Sequence, residues 1–145
     1  GTKSHGKSTF NRLAVNTLLA RFPKVAVLDV DPGQAEFTPP GVLGLTVVDF
    51  PLLGAPGYMF RPSTQQVVDA RYLGSVSPSS DPDMYMALVH GLIDAYYALA
   101  HDAWTKSKQI VPLVVNAMGW VKSLGLQVLC ETIQHVVPTW IVVMN

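Results

Sequence analysis

Charge is what this chain has least of: only 14% of its 145 residues are Asp, Glu, Lys or Arg, against roughly 25% in a typical soluble domain. That is little charge for a free-standing surface, so the chain reads as a domain covered by neighbours or as a piece of something larger. Ten basic and ten acidic residues cancel to a net charge of zero. This denies the chain the basic stripe that gripping a long nucleic-acid backbone requires. Recognition of a single strand end survives that test, because a few placed cations suffice. Cys130 is the one cysteine, which excludes a disulfide framework and a Cys-based metal site and makes an intracellular protein the simpler reading. No apolar run reaches the ~18 residues needed to cross a bilayer, so no membrane partner is expected. The length fits one domain or part of one.

What is present begins at the first residue. Gly1-Thr2-Lys3-Ser4-His5-Gly6-Lys7-Ser8-Thr9 matches G-x-x-x-x-G-K-[ST] in full. Glycines let successive N–H groups aim inward, and the following helix adds a partial positive charge at its start. Lys7 is placed to reach β- and γ-phosphates and Ser8 to offer a hydroxyl to Mg²⁺. Phe10, Leu13, Ala14, Thr17 and Leu18 then recur at helical spacing up to Phe22-Pro23, as the motif requires. Residues 25–31 form a β-branched apolar run tipped with Asp29 and Asp31 and stopped by Pro32-Gly33. The run predicts a buried parallel strand whose acids sit at its carboxyl edge.

Two residues apart on a strand, Asp29 and Asp31 share a side if the strand stays regular. Beside a phosphate loop, one acid can organise Mg²⁺ while the other accepts a proton from an attacking hydroxyl, with Asp31 the better placed at the tip. The plainer alternative is that one carboxylate caps the Pro32-Gly33 turn. Residues 34–80 are broken by Pro and Gly; 42–50 and 67–76 are candidate strands, expected in a peripheral or inserted layer outside the central sheet. Asp81-Pro82 signals a helix start, and Met84, Leu88, Leu92, Tyr96 and Leu99 carry that helix to about Trp104. A strand over 110–115, a helix over 124–136 and a strand over 139–144 complete the pattern. The expected fold is α/β, a doubly wound, mainly parallel sheet of P-loop NTPase type, lacking the strand before the loop.

Three blocks in order carry a more specific resemblance. These are the phosphate loop, then Leu28-Asp29-Val30-Asp31-Pro32-Gly33-Gln34 continuing through Phe37-Thr38-Pro39-Pro40-Gly41, then Val115-Asn116-Ala117-Met118-Gly119-Trp120-Val121-Lys122. Together they resemble the polynucleotide 5′-hydroxyl kinase family, the RNA 5′-kinases of pre-rRNA and pre-tRNA processing. Glu36 leading into the Pro39-Pro40-Gly41 block, Pro51-Leu52-Leu53-Gly54 and Ser77-Pro78-Ser79-Ser80-Asp81-Pro82 are most similar to the nucleolar pre-rRNA branch.

That resemblance implies ATP and Mg²⁺ as cofactors, bound by residues 1–9 with Gln34 near the phosphates. It gives Lys7 and Asp31 catalytic roles, and Ser8, Asp29 and Asp31 as metal ligands. It implies a single-stranded RNA 5′ end as substrate, held by Asn116, Lys122 and a stacking Trp120; without the family, packing is the commoner role of such a tryptophan. It further implies a nuclear, nucleolar location and a nuclease partner. Residues 1–145 would be a partial central kinase domain, and because the family's arginine-bearing lid and preceding domain fall outside them, they are expected to be inactive alone. Two positions depart from the family pattern: Ala117 stands where threonine is usual, removing a hydroxyl near the expected RNA end, and Ser123 stands for glycine. Two other readings remain, a switch that hydrolyses ATP or GTP and an ATP-binding scaffold with decayed activity. His90, His101 and His135 share no metal spacing, and Arg61 and Arg71 read as solvated charges.

Overall fold

A computed structural model describes residues 6–53 and 65–144. Four strands form one sheet in the order β3-β2-β1-β4, with β1 at Val25–Asp29, β2 at Val42–Val48, β3 at Gln65–Tyr72 and β4 at Leu113–Asn116. Helices α1 (Lys7–Leu19), α2 (Pro82–Ser107) and α3 (Leu124–Val136) cover it. β1 is buried along its whole length because both of its faces are packed. Val25 and Val27 face a small cluster with Val15, Phe37, Val48 and Leu52. Ala26, Leu28 and Val30 face a larger one with Leu43, Leu45, Tyr85, Val89, Leu92, Ile93 and Val128. The strand's alternation thus divides α1 from α2 and α3.

The sheet is mixed. β1 and β4 pair in parallel, Leu28 opposite Val115 and Asp29 opposite Asn116. β2 pairs antiparallel with β1, and β3 antiparallel with β2 through an irregularity at Leu45/Thr46. Residues 42–48 and 65–72 therefore extend the central sheet, contrary to the separate layer expected for them. The two strands overlap the expected spans 42–50 and 67–76 with their ends shifted, and which strand they pair with depends on residues far off in sequence. Gly41, at φ 83°, makes the turn into β2, a left-handed conformation open to glycine at little cost.

Helix α2 starts where Asp81-Pro82 predicts, with the Asp81 carboxylate accepting from the Met84 N–H at 2.9 Å. Two phenols bind it to the sheet: Tyr85 donates to the Val30 carbonyl at 2.7 Å and Tyr96 to the Val111 carbonyl at 3.0 Å. Burial among apolar side chains, with Asp31 and Asp29 adding negative charge, pushes the Tyr85 phenol far above its ordinary range, so it stays a donor.

The strand expected over 139–144 is not formed; these residues have no regular secondary structure. Trp140 is 86% exposed, and Ile141, Val142 and Val143 are also exposed. Their β propensity needs a neighbouring strand to express itself, and among the described residues none pairs with them. The segment ends beside the start of α1, where a Cβ built on Gly6 would lie 3.6 Å from Met144 Cε.

Candidate functional site

The first turn of α1 lies at the carboxyl edge of β1 and β4. Gly6 caps it in the left-handed conformation, φ 79°, and no side chain caps the helix there. No acidic residue stands in the first turn, and the positive end of a helix that starts this way favours an anion. Lys7 is half-buried, and Ser8 and Thr9 are exposed. Gly1, Thr2, Lys3, Ser4 and His5 lie outside the described residues, as does Arg61.

Asp29 ends β1 on the α1 face, only 1% exposed. Its Oδ2 accepts from the Glu36 N–H at 2.6 Å; its Oδ1 accepts from the Asp31 N–H at 3.2 Å and from Asn116 Nδ2 at 3.0 Å. Burial outweighs these donors and pushes the Asp29 carboxyl up to about 7. A carboxylate so desolvated gains from a nearby cation.

Asn116 is placed opposite Asp29 by the parallel register. It is itself buried, and its Oδ1 accepts from Asn11 Nδ2 of α1 at 2.9 Å. Both ends of this amide are thus engaged inside the protein, so Asn116 meets Asp29 directly. The next residue of α1, Arg12, donates through Nε at 3.1 Å to Glu36 Oε1 and pairs with it through Nη2.

Asp31 behaves as the plainer alternative anticipates. β1 has ended, and Asp31 Oδ1 accepts from the Gly33 and Gln34 N–H groups at 3.0 and 3.1 Å. It caps its own turn as a partly exposed group, while Gln34 is exposed beside it. Both acids therefore stay at one edge in different settings, one buried and braced, the other near the surface.

Two clefts flank this edge. Ser8, Asn11, Arg12, Glu36, Phe37 and Asn116 line one, on the α1 face. Val30, Tyr85, Ala117, Met118, Trp120 and Gly125 line the other, on the α2 and α3 face. Trp120 is half-buried and Lys122 exposed. The indole lies hard against the start of α3: a Cβ on Gly125 would come within 2.3 Å of Trp120 Cγ and Cδ2. The β4–α3 connection thus sends Asn116 to one cleft and Trp120 to the other. Asn11 and Arg12 escaped the sequence reading because they belong to no motif, Glu36 entered it only as part of a family block, and only folding brings Asn11 to a residue 105 positions away.

The remaining candidates have structural partners. Arg71 pairs with Asp69 at 2.8 Å, its guanidinium against Gly91. His90 and His135 stack at 4.2 Å between α2 and α3, each 3.4 Å from a carboxylate, Glu131 and Asp94 respectively. No group of three or more His, Cys, Asp or Glu among the described residues could hold a metal ion.

The family model described as the mRNA cleavage and polyadenylation factor CLP1 P-loop matches residues 1–145. The chain belongs to the CLP1 P-loop family. Membership in a P-loop family implies the use of ATP, which fits the exposed first turn of α1. A protein of Arabidopsis thaliana named polynucleotide 5′-hydroxyl-kinase NOL9 is 40% identical over 145 residues, all of this chain and 39% of that protein. The GRC3 protein of Schizosaccharomyces pombe, of the same kinase name, is 35% identical over 152 residues, covering 100% of this chain and 19% of its own length. The mouse NOL9 kinase is 37% identical over 137 residues, 94% of this chain and 17% of its length. The chain thus spans about two fifths or less of these curated relatives. Among solved structures, Clp1p in a complex with Pcf11p superposes with a TM-score of 0.70 at 17% identity, over 94% of this chain and 33% of that one. At that identity the likeness speaks for the CLP1 P-loop fold alone.

Proposed function

We propose that this chain is the ATP-binding, central P-loop part of a polynucleotide 5′-hydroxyl kinase that transfers the γ-phosphate of ATP to the 5′-hydroxyl of RNA in pre-rRNA processing. The observation that carries the reading is the buried Asp29 beside the open first turn of α1, in a chain 40% identical to a protein named as such a kinase. Residues 34–80 then widen the domain through β2 and β3. A nucleolar site of action and a nuclease partner belong to the same reading, resting on the NOL9 name and on the family's RNA-processing branch.

The donors fit the groups the reaction needs. The Ser8 hydroxyl and the carboxylates of Asp29 and Asp31 are hard oxygens, and Mg²⁺ is usually held by one or two carboxylates together with phosphates and water. Bound ATP·Mg²⁺ supplies the transferable phosphoryl group and neutralises charge as it moves. Lys7 and the α1 N–H groups hold the phosphates, and Asp29 fixes the metal side. Asp31, nearer the surface, accepts the proton as the 5′-hydroxyl oxygen bonds to the γ-phosphorus and the bond to the ADP oxygen breaks. Trp120 offers a stacking face to the terminal base, with Lys122 nearby for phosphate and Asn116 orienting the edge; stacking is worth ~1–3 kcal/mol per base and tolerates any sequence.

The test is transfer of label from γ-labelled ATP to single-stranded RNA bearing a 5′-hydroxyl, using the full protein that contains this chain. Labelled RNA is expected, with the rate falling about 10²–10³-fold in Lys7→Ala and strongly in Asp31→Asn. Label released only as free phosphate would mean a hydrolysing switch, and ATP binding without turnover a scaffold; either overturns the proposal.

A further inference from the structure

Asn11 and Arg12 lie outside the phosphate-loop motif, yet these consecutive residues of α1 reach both oxygens of Asp29 through one intermediary each. On one arm, Asn11 Nδ2 donates to Asn116 Oδ1 at 2.9 Å, and Asn116 Nδ2 donates to Asp29 Oδ1 at 3.0 Å. On the other, Arg12 pairs with the Glu36 carboxylate, while the Glu36 N–H donates to Asp29 Oδ2 at 2.6 Å.

The first arm has a direction. The backbone N–H groups of Asp31 and Glu36 donate to Asp29, and to the ionised carboxylate that a cation would meet Asn116 turns its NH₂ as a third donor. The Asn116 carbonyl then needs a donor from the other side, and Asn11 supplies it. An acceptor at position 11 would reverse the amide and set its carbonyl oxygen against the Asp29 carboxylate. Such partners behind a ligand commonly set its orientation and affinity.

We infer that Asn11 is a positioning residue: acting through Asn116, and seconded by Arg12 through Glu36, it locks the helix carrying Lys7 and Ser8 to the strand carrying Asp29, so that the Ser8 hydroxyl and the Asp29 carboxylate meet one divalent cation. The inference rests on the proposed reading of Asp29 and Ser8 as metal ligands. Mg²⁺ and Mn²⁺ both prefer octahedral oxygen sites, Mg²⁺ strictly so at about 2.0–2.1 Å, and groups on two separate elements meet that demand only when the elements hold still.

The experiment measures Mn²⁺ affinity by electron paramagnetic resonance in the full protein, with a non-hydrolysable ATP analogue present, for the native protein, Asn11→Asp and Asn11→Ala. Asn11→Asp keeps the shape and reverses the amide; Asn11→Ala leaves Asn116 bonded to Asp29 but unbraced. The expected result is Mn²⁺ affinity about 10–100-fold weaker in Asn11→Asp, a smaller loss in Asn11→Ala, and nearly unchanged affinity for the metal-free analogue. A residue that only fills space predicts the opposite order, with Ala worse than its near-isostere, and that order overturns the proposal. Should Asn11→Asp fail to fold, Asn11→Ala decides alone: native Mn²⁺ affinity in it overturns the inference, and weakened affinity upholds it. Native protein that binds Mn²⁺ with the analogue but never labels RNA would sink the kinase reading and leave this ranking intact.

Discussion

The two faces of β1 are built for different ends. Toward α2 and α3, Ala26, Leu28 and Val30 enter a large apolar cluster whose polar contribution is the Tyr85 phenol, and that phenol is satisfied by the Val30 carbonyl. Toward α1, Val25 and Val27 give way to Asp29, and the apolar packing yields to a polar chain that runs from buried Asp29 and Asn116 to half-buried Asn11, Glu36 and Arg12. Six consecutive residues, 25–30, thus supply both the core and the site. Apolar burial on one face can carry the cost of holding a desolvated carboxylate on the other, which is how a site stays rigid without being a source of stability.

The largest expected effect tests that division directly. Leu28→Ala, at a fully buried position of the α2 face, should lower stability by about 2–5 kcal/mol, read by urea denaturation of the full protein. Asn116→Ala on the other face should cost less stability and more activity. Equal stability losses would break the contrast between the faces.

A pH experiment sharpens it. The Asp29 carboxyl is raised from 3.8 to about 7 by burial, so between those values the folded protein keeps a proton that the unfolded chain has released. The group's contribution is therefore present below about pH 4 and is lost as pH rises through about 7. Asp29→Asn should remove this fall, so the difference between variant and native melting temperatures should shift in the variant's favour between pH 4.5 and 7.5. Parallel profiles would mean that Asp29 is not held as described.

The smallest effect concerns the second cleft. Gly125→Ala would drive a methyl group into the Trp120 ring and should cost about 1–3 kcal/mol through overpacking. If Trp120 contacts the RNA end, this variant should raise KM for RNA more than it lowers kcat; unchanged KM would assign the indole to packing.

Much of the fold was legible because its signals are local. The Asp81-Pro82 cap, the apolar spacing of α2 and α3 and the acid-tipped run of β1 each sit within a few residues of what they specify. The antiparallel joining of β2 and β3 to the central sheet was not legible, since strand pairing depends on a distant partner that no local pattern names. Residues 139–144 show the converse, a strand pattern left unexpressed where no described strand pairs with it. At the site, Asp29 was visible as an acid at a strand tip, but its brace was not.

By itself the sequence determined the phosphate-loop motif, the helix that follows, the two acids at one edge and the alternation that gives β1 two faces, because each follows from backbone geometry and side-chain period over a short span. Only the tertiary structure decided that Asp29 is the buried acid and Asp31 the turn cap, that Asn116 and Trp120 part into different clefts, and that α1 reaches Asp29 through Asn11 and Arg12. Burial and hydrogen-bond partners belong to packing, which joins residues such as Asn11 and Asn116 that lie 105 positions apart along the chain.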